Sequence, residues 1–162
     1  MTETSETQAQ GAQATAEAAA QAMWHRDLTA HALDMALAAV GPGTAMLTMT
    51  VRRDMLNGHG MCHGGMIFTL ADTAFAYACN SYDQNTVASA CHIDFLAPAR
   101  ENDVLQATAA ERALAGRSGV YDITVRNLAT QRDIALFRGK SHRIQGTVTE
   151  SLADEPGPAP HA

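Results

Sequence analysis

Gly64-Gly65-Met66-Ile67-Phe68-Thr69-Leu70-Ala71-Asp72-Thr73-Ala74-Phe75-Ala76-Tyr77-Ala78-Cys79-Asn80 runs for 17 residues without a proline, preceded by His63 and followed by Ser81. That is long enough for a helix of more than four turns, and its apolar residues lie on nearly every side rather than along one stripe. A helix of this kind is buried, here most simply wrapped by a sheet. The single charged side chain between His63 and Asp83 is Asp72, in the middle of the run. An unpaired carboxylate is costly to remove from water, so it requires either bonding partners, as a purely structural Asp has, or a functional cavity.

The flanking sequence supplies the strands. Thr44 to Val51 alternates like a strand with one wet face, after a break at Gly41-Pro42-Gly43. Met23 to His31 suits a short amphipathic helix, whereas Leu33, Met35, Leu37 and Val40 fit either its continuation or a strand that pairs back across Gly-Pro-Gly. Beyond the central helix, Val87–Leu96, Val104–Ala113, Gly119–Leu128 and Ile134–Ile144 are four strand-like runs separated by polar, Gly or Pro breaks. Their short links imply an antiparallel sheet, and the class is α+β.

The ends differ from this middle. Residues 1–22 are mostly Ala, Gln, Thr and Glu with no apolar stripe beyond alanine, which reads as a mobile N-terminal arm with room for some helix. Residues 151–162, with Pro156, Pro158 and Pro160, read as a disordered C-terminal tail, which leaves 23–150 as the working domain. The formal net charge of −6 resides almost wholly toward the ends, because Glu3, Glu6, Glu17, Asp154 and Glu155 lie in them and Glu150 is the last residue of the domain. Taking those six from 17 acids leaves 11, against 11 Lys and Arg, so the domain is close to neutral and nucleic acid is an unsuitable partner. The start lacks a basic segment followed by an apolar one, and no run of about 18 apolar residues exists to span a bilayer. The expected setting is the cytoplasm, away from membranes. Cys62, Cys79 and Cys91, odd in number and set among small or apolar residues, read as buried free thiols.

The start of the central helix has its own chemistry. The first backbone N–H groups of a helix lack intrahelical acceptors and carry the positive end of the dipole. Glycine at His63-Gly64-Gly65 admits a substrate carbonyl close to that backbone, as an oxyanion hole requires. Eight residues separate Gly64 from Asp72, a rise of roughly 12 Å at 1.5 Å per residue. One scissile bond does not reach both. If both serve the same bond, Asp72 comes from a second, antiparallel copy of the helix, in a two-fold dimer with two composite sites.

Asn57-Gly58-His59, Cys62 to Ser81, Ala88-Ser89-Ala90-Cys91, Ile93 to Leu96, Gly119 to Ile123 and Ala135 to Ile144 together resemble the PaaI-like thioesterases of phenylacetate degradation, a hotdog-fold family in the 4-hydroxybenzoyl-CoA thioesterase superfamily. The resemblance spans about residues 23–150. It implies a long helix wrapped in an antiparallel sheet, a tetramer built as a dimer of dimers, and the hairpin alternative for residues 32–51. It implies hydrolysis of phenylacetyl-CoA, hydroxyphenylacetyl-CoA or related aryl or short acyl-CoA thioesters. In this correspondence Asp72 matches the catalytic carboxylate, Gly64 the oxyanion amide, and Asn57 and His63 the side chains that hold the thioester and the attacking water. Arg100, Arg117, Ser118 and Gly119 fall near CoA-contacting positions.

The chemistry suits these residues, because a thioester carbonyl is already electrophilic and a thiolate leaves without a strong acid. Asp72 serves either as general base toward water or as a nucleophile forming a mixed anhydride. No cofactor is expected, CoA being part of the substrate. No metal is expected either, since His59, Cys62 and His63 lack a fourth ligand at zinc spacing. Taken without the resemblance, an Asn before Gly is an ordinary turn residue and His63 an ordinary cap. Arg138, Lys140 and Arg143 alternate as a wet strand face does. Two other functions use the same pocket: a hydratase or dehydratase, which needs a His and an acid placed for proton transfer along the acyl chain, and an acyl-CoA binding protein without turnover.

Overall fold

The computed structural model describes residues 3–153, and side chains from 6 to 151. The elements in order are α1 (Glu3–Trp24), α2 (Leu28–Ala32), β1 (Ala36–Gly41), β2 (Thr44–Thr50), a short 3-10 turn (Arg53–Met55), α3 (Gly64–Asn80), β3 (Thr86–Phe95), β4 (Val104–Ala115), β5 (Ser118–Asn127), β6 (Asp133–Arg143) and α4 (Val148–Ala153). Helix α3 therefore has the bounds expected from its apolar run. Gly41 pairs with Thr44 across a two-residue turn, so residues 36–50 form a hairpin, not a longer helix.

All strand pairs are antiparallel, in the order β1-β2-β4-β5-β6-β3. Strand β3 neighbours neither β2 nor β4, because α3 carries the chain from β2 across the concave face and delivers β3 to the far edge, beside β6. The return link crosses beneath the start of α3, where the Cys62 N–H donates to the Ala99 carbonyl at 2.9 Å.

Alternation puts Leu47, Met49, Leu105, Ala107, Ala109, Tyr121, Ile123, Val125 and Phe137 on the concave face, where they are at most 2 % exposed. Helix α3 meets them with Leu70, Ala71, Ala74, Phe75, Tyr77 and Ala78. Phe75 packs on the rings of Tyr121 and Phe137 at 5.5 and 6.0 Å, and Phe68 meets Phe137 edge-on at 5.3 Å. Gly139 makes this close approach possible: a Cβ there would lie 2.8 Å from the Phe75 ring.

Residues 3–22, expected as a mobile arm, are instead the greater part of α1, which packs against β1, α3 and α4. Ala16, Ala19 and Ala20 are 0, 0 and 3 % exposed, and Gln13 Nε2 donates to the Val40 carbonyl at 2.8 Å. Alanine at i, i+3 and i+4 is a weak hydrophobic signal, yet its short side chain lets one backbone lie close on another. At the other end, residues 151–153 belong to α4, and the rest of the expected tail, 154–162, lies outside the described residues. Among the described residues no helix is long and apolar enough to cross a membrane. All three cysteines are free. Cys62 and Cys79 are buried, with thiols pushed up by burial to about 11 and about 12. Cys91 departs from the expectation and is exposed, because it sits on the edge strand.

Candidate active site

His63 is the N-cap of α3, extended at φ −62°, ψ 134°, and its Nδ1 accepts the Gly65 N–H at 2.9 Å. An Nδ1 that accepts leaves the ring proton of the neutral imidazole on Nε2, so this exposed side chain presents a donor to solvent. The His63 carbonyl takes the Met66 N–H, and the His63 N–H is tied to the Met55 carbonyl in the 3-10 turn. Among the described residues the Gly64 N–H has no acceptor. It is an orphan donor at the positive end of a four-turn helix, and such a group attracts oxyanions.

Asn57 organises the loop leading into the helix. Its Oδ1 accepts the N–H groups of His59 and Met61 at 2.9 and 3.3 Å, and its own N–H donates to the Met61 carbonyl at 2.8 Å. This is the turn role expected of an Asn before Gly. Its amide NH2 keeps both donors without a partner among the described residues.

Asp72 is half-buried, not enclosed. Its one side-chain partner among the described residues is Cys91, whose Sγ lies 3.8 Å from Oδ1. Burial pushes the carboxyl above the usual carboxylate range, and the thiol bond partly offsets that rise. Gly64, Phe68 and Asp72 follow one another at i, i+4 and i+8 and share one helix face. Strand β3 lies beside that face, with Cys91 at Asp72 and the Phe95 ring at Gly64. Four strand residues span roughly 13 Å and eight helix residues roughly 12 Å, so the two ladders match. Gly64 and Asp72 of one chain thus stay about two helical turns apart and do not converge.

The other edge of β3 is unpaired among the described residues, and residues 87–92 are exposed. Its ten residues carry no Lys, Arg or Pro, and His92 and Asp94 pair with each other, so apart from the register shift at Ala88–Ala90 little blunts this long edge.

The four residues expected near CoA are not brought together. Arg100 is exposed in the link beneath the start of α3, its N–H bound to Asp103 Oδ2 at 2.7 Å. Arg117 in the β4–β5 turn and Ser118 and Gly119 at the start of β5 lie beside Cys79 and Tyr82, at the opposite end of α3, roughly 25 Å away by helix rise. There Arg117 Nε donates to the Arg143 carbonyl at 2.9 Å. A concavity of about 740 Å³ lies on the sheet's outer face, away from Gly64 and Asp72. Its charges are mutually paired, with Arg138 forked onto Asp122 at 2.7 and 2.9 Å. Among the described residues no three His, Cys, Asp or Glu side chains gather as a metal site. Cys91 and Phe95 are the site neighbours that sequence reasoning missed; the period-2 pattern of β3 puts them on one face, but nothing local says which helix they face.

The thioesterase superfamily model matches residues 59–133, the segment from the Asn57 loop through α3 to the start of β6. The chain is 55 % identical over 130 residues to the acyl-coenzyme A thioesterase PaaI of Escherichia coli, covering 80 % of this chain and 92 % of that one. The structure of the E. coli PaaI protein from the phenylacetic acid degradation operon superposes with a TM-score of 0.81 at 52 % identity, over 83 % of this chain and 97 % of that one. A mutant of phenylacetic acid degradation protein PaaI from Thermus thermophilus does so with a TM-score of 0.70 at 34 % identity, over 73 and 100 %. The helix held in a six-stranded antiparallel sheet is the hotdog fold, and the chain belongs to the thioesterase superfamily, among the PaaI thioesterases.

Proposed function

We propose that this thioesterase hydrolyses phenylacetyl-CoA, or its ring-hydroxylated relatives, to the free acid and CoA in phenylacetate catabolism. The observation that carries the proposal is the pairing of an orphan amide at Gly64 with a half-buried carboxylate at Asp72 on the same open helix face. The relative at 55 % identity, named an acyl-coenzyme A thioesterase, supports the same reading.

The separation along α3 requires two copies of the chain. We assign the contact to the free β3 edge, with the two α3 helices antiparallel across the two-fold axis and two such dimers forming a tetramer. The thioester oxygen takes the Gly64 N–H, while His63 Nε2–H and the Asn57 NH2 orient the thioester and the water. Asp72 of the partner subunit takes the water proton as hydroxide adds to the carbonyl; collapse of the tetrahedral intermediate expels the CoA thiolate, which is then protonated. Alternatively the carboxylate adds directly and water cleaves the anhydride. Neither route requires a cofactor. The carboxyl's upward shift brings it closer to neutral pH, which favours the base role.

The test is thiol release from phenylacetyl-CoA and hydroxyphenylacetyl-CoA by the purified protein. Steady release is expected. Turnover confined to an enoyl-CoA would point to a hydratase instead, and tight binding without release would point to an acyl-CoA binding protein.

A further inference from the structure

Phe95 is an aromatic residue left 53 % exposed at the end of β3, and it is not idle surface. The tip of its ring points at Gly64: a Cβ built there would lie 3.0 Å from Cζ and 3.4 and 3.5 Å from the two Cε atoms. The same glycine carries the unpartnered N–H. An acyl group whose carbonyl oxygen accepts that N–H therefore has its first carbons within van der Waals range of the ring. Behind it, Phe68 stands one turn along the same helix face and packs edge-on against Phe137, while Ile93 lies between Cys91 and Phe95 on the strand. The surface between the orphan amide and the carboxylate is thus apolar and aromatic.

We infer that Phe95 is the residue that selects aryl over straight-chain acyl groups, by packing its ring against the substrate's. The inference rests on the thioester reading above and deepens it. Offset or edge-to-face aromatic pairs outweigh equal apolar area, so the preference attributable to this contact is about threefold to tenfold. A side chain at Gly64 would press on the same ring, whose exposed tip would have to shift by a few tenths of an ångström.

The experiment compares kcat/KM for phenylacetyl-CoA and hexanoyl-CoA in wild type, Phe95→Leu and, as a control at the exposed residue just beyond β3, Leu96→Ala. In Phe95→Leu the aryl-to-alkyl ratio is expected to fall about threefold to tenfold, through KM more than kcat, with hexanoyl-CoA turnover retained. In Leu96→Ala the ratio is expected to stay put. A ratio unmoved in Phe95→Leu, or an equal loss on both thioesters, overturns the inference while leaving the thioesterase reading intact. Release from neither substrate by wild type refutes both. A wild type that prefers hexanoyl-CoA, yet whose ratio still falls in Phe95→Leu, supports Phe95 and removes only the phenylacetate assignment.

Discussion

The two halves of α3 are built by the same sequence logic and satisfied to opposite degrees. From Thr73 onward nearly every residue is buried, and the C-terminal end closes on itself. Asn80 Nδ2 donates to the carbonyls of Ala76 and Thr86 at 3.0 and 2.9 Å, and Oδ1 accepts the Thr86 N–H at 2.9 Å. Ser81 Oγ donates to the Ala78 carbonyl and accepts the Gly43 N–H at 2.7 Å, while Glu111 accepts from the Tyr82 and Tyr121 hydroxyls. The N-terminal half, from Gly64 to Asp72, leaves an amide without an acceptor and a carboxylate with only a thiol among the described residues. Polar groups that a stable fold would pair are left open at this end, the pattern expected of a functional site. The helix is satisfied at one end and left with unmatched polar groups at the other.

The sharpest way to break this contrast is Asp72→Asn. It is expected to lower kcat by about 10³-fold, read as thiol release. It should also raise the thermal midpoint at neutral pH. Burial disfavours the charged carboxylate, so the folded state holds its proton more tightly than the unfolded chain does. Stability therefore declines as pH rises from the ordinary carboxylate range to the raised folded value, and the full penalty persists above it. Removing the charge removes that penalty, so the gain should vanish in acid. A variant that is both inactive and less stable at pH 7 would show Asp72 to be structural.

Gly64→Pro comes next, because it deletes the orphan N–H at the cost of displacing only the exposed tip of the Phe95 ring. Proline is accepted at the first helical position, and His63 at ψ 134° already has the extended backbone that precedes proline. A loss of about 10²-fold in kcat is expected with the helix content intact, the Phe95 ring tip moving aside. Co-expressing Gly64→Pro with Asp72→Asn should restore about one quarter of wild-type activity, since half of random dimers are mixed and each has one whole site. Full activity loss in the mixture would place both groups in the same subunit's site.

At the satisfied end, Asn80→Ala strands the Thr86 N–H and carbonyl and is expected to cost about 2 kcal/mol in urea unfolding. Activity per folded molecule should not change. The smallest effect is expected from Cys91→Ala: without the thiol donor, burial acts unopposed on Asp72, and the acid limb of the kcat/KM profile moves to higher pH. Cys91→Ser keeps a donor and should leave the limb where it is.

Much of this molecule is legible one segment at a time. The bounds of α3, the alternating strands on either side and the Gly41-Pro42-Gly43 break follow from hydrophobic period and turn residues, which are local properties. So does the roughly 12 Å between Gly64 and Asp72, a consequence of helix rise alone, which keeps the two groups of one chain from reaching the same bond. Family resemblance adds the roles of Asn57 and His63, whose turn and cap bonds are what a lone sequence would have assigned them.

Other features depend on residues distant in the chain. Strand β3 lies beside β6 because α3 carries the chain across the sheet, and no period in Thr86–Phe95 encodes its neighbour. That placement is what leaves Cys91 exposed beside Asp72 and turns Phe95 onto Gly64. The docking of α1 on alanines and the separation of Arg100 from Arg117 by the length of α3 likewise arise from packing. Sequence alone determined which segments are helix and strand and which groups could do chemistry, since these depend on neighbours a few residues away. Which groups face one another was decided only by the tertiary structure, because contact between strand and helix is set by how whole surfaces bury together.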